Sequence, residues 1–156
     1  MLTQPGTYAL IMTCNYDQQV TIGKLGRLQV RPGCYVYIGS AFGPGGLKAR
    51  IAHHQRISVR PHWHIDYLRS LLLLKEVWYT NDAEPYEHRW AEVLSGLKGA
   101  SIPITGFGAS DCRCTSHLFT FTDQPPRRSF RRRLHTKIPA HGSILQHKLA
   151  GCTQRD

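Results

Sequence analysis

The sequence predicts a single α/β domain, a small and mostly antiparallel sheet flanked by helices, followed by a basic C-terminal tail. Three observations carry that expectation. Short runs of β-branched and aromatic residues are cut by Gly- and Pro-containing turns, the signature of strands. Between them lie segments whose apolar residues recur at helical spacing. After Pro125-Pro126 the apolar residues thin out and Arg127, Arg128, Arg131, Arg132 and Arg133 crowd together. A chain of 156 residues with three Trp, seven Tyr and five Phe can bury one core over about residues 1–123.

Taken in order, residues 6–13 (GTYALIMT) read as a strand, and 14–17 as a turn. Residues 19–22 and 28–30 read as two shorter strands around a Gly turn, and Arg31-Pro32-Gly33 breaks the second. Residues 34–38 (CYVYI) form a strong strand, so the opening is expected to be an antiparallel meander. Four Gly and one Pro exclude regular structure through most of 39–46. Residues 47–56 are helical, with Leu47 and Ile51 on one face and Arg50 and His54 on another. A second helix is expected over 62–74 with Ile65, Leu68, Leu71 and Leu72 inward, then a strand over 76–80. Asn81 or Asp82 caps a third helix from about Ala83 to Leu97, with Pro85 in its first turn. Residues 102–114 read as a loop and 118–121 as an edge strand. The tail, 124–156, is expected to be mostly disordered, with a short helix near Ile144–Leu149 as its one candidate element.

Charge and cysteines narrow the function class. The formal net charge is +10 and the pI about 9.8, which suits a polyanionic partner, most often nucleic acid, although part of the excess sits in the tail. Five irregularly spaced Cys and no basic-then-apolar leader point to reduced thiols in a cytoplasmic protein rather than a secreted disulfide scaffold. The longest strongly apolar run, Leu71–Leu74, is far too short to span a bilayer, so no membrane partner is expected.

The informative motifs are Gly6-Thr7-Tyr8 at the head of the first strand, Tyr37-Ile38-Gly39 at the end of a later one, and the helix Leu47-Lys48-Ala49-Arg50-Ile51-Ala52-His53-His54 after a Gly-rich turn. With them go His-Trp-His-Ile-Asp-Tyr-Leu (62–68), Gly-Phe-Gly-Ala-Ser-Asp-Cys (106–112) and Ser116-His117-Leu118. Over roughly residues 6–95 this order resembles the GIY-YIG nuclease superfamily, and in particular a small prokaryotic branch of it. The resemblance implies a divalent-metal-dependent endonuclease that hydrolyses DNA phosphodiester bonds, with branched, damaged or single-stranded DNA and DNA repair as its natural settings. It implies Mg²⁺ or Mn²⁺ as cofactor, DNA as partner, and no obligatory small-molecule cofactor.

By the same resemblance, Tyr37 is the general base for water. A phenol has a reference pKa of about 10, so this role needs nearby positive charge. Tyr8 positions water or phosphate. Arg50 grips phosphate oxygens with a planar, permanently charged guanidinium, and His54, one turn on, orients the nucleophile, accepts its proton or contacts phosphate. Glu87 holds the metal, a single carboxylate suiting a cation that keeps its waters; Glu84 and Glu92 lie on the same expected helix. Ser40, Gly45, Gly46, Lys48, Arg56 and His62 are the expected nucleic-acid contacts, with the helix N-terminus favouring an anion.

Each of these residues also has a plainer reading. A strand Tyr is usually a packing residue and a helix Glu usually solvated. His62, His64 and Asp66 suit capping and hydrogen bonding at a helix start better than metal binding. Cys112, Cys114 and His117 could be three zinc ligands, a packed loop or a redox-sensitive thiol pair. The rival functions are therefore a non-catalytic nucleic-acid-binding module and a zinc-stabilised interaction domain.

Overall fold

Thr7–Cys14 (β1) is buried along nearly its whole length on both faces, which is how a central strand reads. It pairs antiparallel with Gly33–Ser40 (β4) on one side and Leu73–Thr80 (β5) on the other. Leu118–Phe121 (β6) adds antiparallel to β4, and Leu145–Lys148 (β7) adds antiparallel to β5. The computed structural model describes residues 3–109 and 113–149, and their main sheet has the order β6-β4-β1-β5-β7. Gln18–Ile22 (β2) and Gly26–Val30 (β3) form a separate two-stranded ribbon. The expected meander is thus half right: the ribbon leaves the sheet, and β4 rather than β2 returns beside β1.

Strand alternation divides the core in two. Tyr8, Leu10 and Met12 with Tyr35 and Tyr37 face Gly46–Gln55 (α1), His64–Leu68 (α2), the ribbon and Phe107. Ala9 and Ile11 with Val36 and Ile38 face Glu87–Ser95 (α3) and Arg127–Lys137 (α4), through Trp78, Trp90, Phe130 and Leu134. A bulge opposite Ile11 and Met12 shifts the parity of β5, so Leu74 and Val77, three residues apart, point to the same side.

Four elements differ from expectation. The second helix stops at Leu68, and residues 73–80 form β5. A run of four Leu has no polar face to select a helix, and here it supplies a buried turn and the start of a strand. Buried Arg69 secures that turn by donating to the carbonyls of His54 (2.6 Å) and Leu72 (2.9 Å). The third helix begins at Glu87, not Ala83, and Pro85 precedes it. Residues 127–137 of the expected tail form α4, and 145–148 form a strand instead of a helix. Phe130 and Leu134, one turn apart, are fully buried against Trp78 and Trp90, while most of the arginines stay exposed. Residues 150–156 lie outside the described residues. No helix among those described is long and apolar enough to cross a membrane.

Candidate active site

The first two tyrosines meet because of register. Tyr8 lies opposite Gly39, and Leu10 opposite Tyr37, so the two rings are diagonal neighbours on one face of the β1–β4 pair. Gly39 makes this arrangement possible: a Cβ there would overlap the ring and hydroxyl of Tyr8, which lies across the bare backbone. The third element, α1, brings Arg50 and His54 to the same place. Tyr8, Tyr37, Ser40, Arg50, His62 and Glu87 line one cavity of about 260 Å³, together with Gly39, Trp63, His64 and Gly108.

The polar contacts fix most of these side chains. Tyr8 Oη lies 2.6 Å from His54 Nε2, both groups fully buried. Burial, reinforced by the neighbouring charge of His53, pushes the His54 imidazole down to about 3. It is therefore neutral and able to accept the Tyr8 hydroxyl proton in this bond. Burial also raises both phenols, with Tyr37 and then Glu87 adding to the rise at Tyr8, and Glu87 adding to it at Tyr37; Arg50 opposes the rise at each. The Arg50 guanidinium is 4.3 Å from the centre of the Trp63 ring, a cation–π contact, and it also hydrogen-bonds the Tyr8 hydroxyl; with five N–H donors it has more to give than that bond uses.

Glu87 sits in the first turn of α3 and reaches the cavity from the far side of the sheet edge. His117 Nδ1 lies 2.9 Å from its Oε1. Burial pushes the carboxyl up, but the hydrogen bonds from His117 and Ser40 and the charges of His117 and His88 bring it below the usual carboxylate range. An ionised, part-buried carboxylate with one edge on a polar cavity fits a hard divalent cation that keeps several waters.

One family model matches most of the chain. This chain belongs to the family described as Domain of unknown function DUF123. The model matches residues 7–139, from the start of β1 to just past α4, so every cavity residue lies inside it. No curated protein and no solved structure matches the chain.

Within this DUF123 chain the remaining expected contacts scatter. Ser40 and His62 line the cavity. Gly45 and Gly46 turn the chain into α1 with φ of 81° and 60°, but Gly46 is buried against the carbonyls of Thr3 and Gln4, and Leu47 N–H donates to Gln4 O at 2.9 Å. The start of α1 is thus satisfied by protein rather than open to an anion. Lys48 is exposed on α1 and Arg56 is exposed at its C-terminal end; neither lines the cavity. The arginine-rich α4 packs on the opposite face of the sheet from Tyr8 and Tyr37.

The His62, His64 and Asp66 group does what its plainer reading says. Asp66 Oδ2 accepts from the N–H groups of His62 (2.9 Å) and Trp63 (3.0 Å) to cap α2, and Oδ1 lies 2.9 Å from His53 Nε2. His64 Nδ1 accepts from Gly108 N–H at 2.8 Å, tying the 102–117 loop to the cavity rim. Of the zinc candidates, Cys112 lies outside the described residues. Cys114 and His117 come together with His88, which the sequence did not suggest. Sequence reasoning also missed Trp63 as the support of Arg50 and His117 as the partner of Glu87. Both lie in motifs already singled out (62–68 and 116–118), so the signal was present but the pairing was not.

Proposed function

We propose that this DUF123 chain is a divalent-metal-dependent endonuclease acting on phosphodiester bonds in DNA. The observation that supports it best is convergence: Tyr8 from β1, Tyr37 from β4, Arg50 from α1 and Glu87 from α3 line one small polar cavity. These are the residues that the resemblance to GIY-YIG nucleases picks out. In this reading Arg50, held flat by Trp63, takes two oxygens of the scissile phosphate and stabilises the charge that builds on them. Tyr8, whose proton is engaged by neutral His54, offers its oxygen lone pair to a water and orients it. Tyr37 in its ionised form removes the proton of that water. Glu87, oriented by His117 and Ser40, would hold magnesium or manganese, which would supply positive charge beside the phosphate and favour the ionised form of nearby acids. Because burial keeps the Tyr37 phenol protonated through neutral pH, cleavage should accelerate as the solution is made alkaline.

The test is cleavage of labelled duplex, single-stranded, flapped and branched DNAs with Mg²⁺, Mn²⁺ or EDTA. Wild type should cut only with metal. Tyr37→Phe should lose roughly 10²–10⁴-fold and Arg50→Ala roughly 10²–10³-fold, and Glu87→Gln should lose its metal dependence along with its activity. Salt-sensitive binding with no cutting on any substrate would replace this reading with that of a non-catalytic nucleic-acid-binding module.

A further inference from the structure

Besides the cavity, the chain gathers a second group of donors. His88 lies on α3, and Cys114 and His117 lie on the loop that leads into β6. One ligand atom from each falls within 4.8 Å of the others, and His88 Nδ1 is 3.2 Å from Cys114 Sγ. We propose that His88, Cys114 and His117 form a zinc site, separate from the hard-cation position at Glu87.

Geometry and donor chemistry both favour zinc. A tetrahedral centre with Zn–N of about 2.0 Å and Zn–S of about 2.3 Å has ligand-to-ligand edges of roughly 3.3–3.7 Å. The His88–Cys114 separation is already close to one such edge, so closing on an ion needs only small side-chain shifts. A thiolate with two imidazoles is a borderline-soft set that selects zinc over magnesium or calcium. Among the described residues three side chains supply ligands, and His88 and Cys114 line an open cavity of about 600 Å³ from which water can reach the ion. Histidines that bind metal ordinarily hold a carboxylate or carbonyl through the other ring nitrogen, which fixes their tautomer. His117 has that arrangement: its Nδ1 is 2.9 Å from Glu87 Oε1, which directs Nε2 to the ion.

The site would serve a mechanical purpose. Residues 102–109 and 113–117 have little regular structure, yet they place Gly108 on the cavity rim and His117 against Glu87. An ion held jointly by the loop and α3 pins that loop where the Glu87 carboxylate needs it. Zinc at one end of His117 and the carboxylate at the other make the imidazole a rigid strut between the two positions.

The experiment uses untagged full-length protein, stripped with chelator and reconstituted separately with Zn²⁺ and Co²⁺. Zinc is counted by plasma mass spectrometry, and cobalt is read by its thiolate charge-transfer absorption. Wild type should hold one equivalent of zinc and show the thiolate band. Cys114→Ser should abolish the band. His88→Ala, altered at an exposed residue that the fold does not need, should weaken zinc binding by at least about ten-fold, and Glu87→Gln should keep the band while weakening affinity roughly 10–100-fold. Less than about a tenth of an equivalent in reconstituted wild type, or a band that survives Cys114→Ser, would overturn the proposal. Neither readout depends on DNA cleavage, so this site and the nuclease reading stand or fall separately.

Discussion

Among the described residues, two clusters each bring three potential metal donors within 4.8 Å: His53, His54 and Asp66 in one, His88, Cys114 and His117 in the other. Only the second borders open space, and the contrast separates an enclosed polar cluster from an accessible set of donors. In the first, the donors are engaged by the fold itself. Asp66 accepts two backbone N–H groups and faces His53, while His54 bonds the Tyr8 hydroxyl. Asp66 and His54 are buried, and the His54 imidazole is too strongly desolvated to carry charge. The second cluster runs from buried His117 through half-buried Cys114 to exposed His88, and it borders open space. Proximity of donors is shared; access to open space is not.

The sharpest way to test that contrast is to remove one member from each. Asp66→Ala leaves two backbone N–H groups at the start of α2 without their acceptor and His53 without its partner. A buried donor left without its acceptor costs about 1–3 kcal/mol; with His62 exposed and Trp63 half-buried, the variant should lose about 2 kcal/mol of stability in urea denaturation. Cys114→Ser, measured in EDTA beside it, should lose well under half of that. Equal losses would mean that both clusters are structural in the same sense.

A smaller effect follows from His54. Its pKa is depressed to about 3 in the fold, against about 6.5 in an unfolded chain. As pH falls below about 6.5 the unfolded chain takes up a proton that the folded protein refuses. Stability is therefore complete above that pH and is lost on acidification, by up to about 1.4 kcal/mol per pH unit. Asp66, held below the ordinary carboxylate range mainly by its backbone N–H bonds and His53 against the effect of burial, adds its own loss only in more acid solution. Comparing wild type with His54→Gln between pH 7 and pH 5 isolates the histidine. The variant's stability should fall less steeply over that interval, and parallel slopes would show that His54 takes up its proton as readily in the fold as in the unfolded chain.

Much of this fold and of the cavity could be read from sequence, for physical reasons that also explain the rest. Local signals sufficed for β1, β4 and α1, where strand composition, a Gly-rich break and helical spacing all agree. They placed Tyr8, Tyr37, Arg50 and His54 in elements that could meet, and motif order supplied the pairing. Glu87 was placed on a helix, but that it would face His117 depends on how α3 and a loop some 20 residues later return to the same edge, which no local pattern encodes. The arginine helix failed differently. Its charge suggested a solvated tail, yet Phe130 and Leu134 at a spacing of four were enough to anchor it beside Trp78 and Trp90. Two well-placed apolar residues outweighed nine polar or charged neighbours because long arginine side chains extend away from the packed stripe at little cost.

The smallest predicted effect decides most about the second cluster. His88 is exposed, and apart from Cys114 Sγ no hydrogen-bond acceptor or donor is described for its ring. Without metal, His88→Ala should therefore change stability by less than about 0.5 kcal/mol, as most surface substitutions do. With free zinc at about a hundred times its dissociation constant, binding to the native state alone should stabilise wild type by about 2.7 kcal/mol, and the variant, binding more weakly, should gain distinctly less. The two proteins should thus melt together in EDTA and separate when zinc is added. A residue that merely packs would show the same difference under both conditions, and a residue that does neither would show none. Separation only in zinc is the behaviour of a ligand, and the first cluster offers no substitution that could produce it.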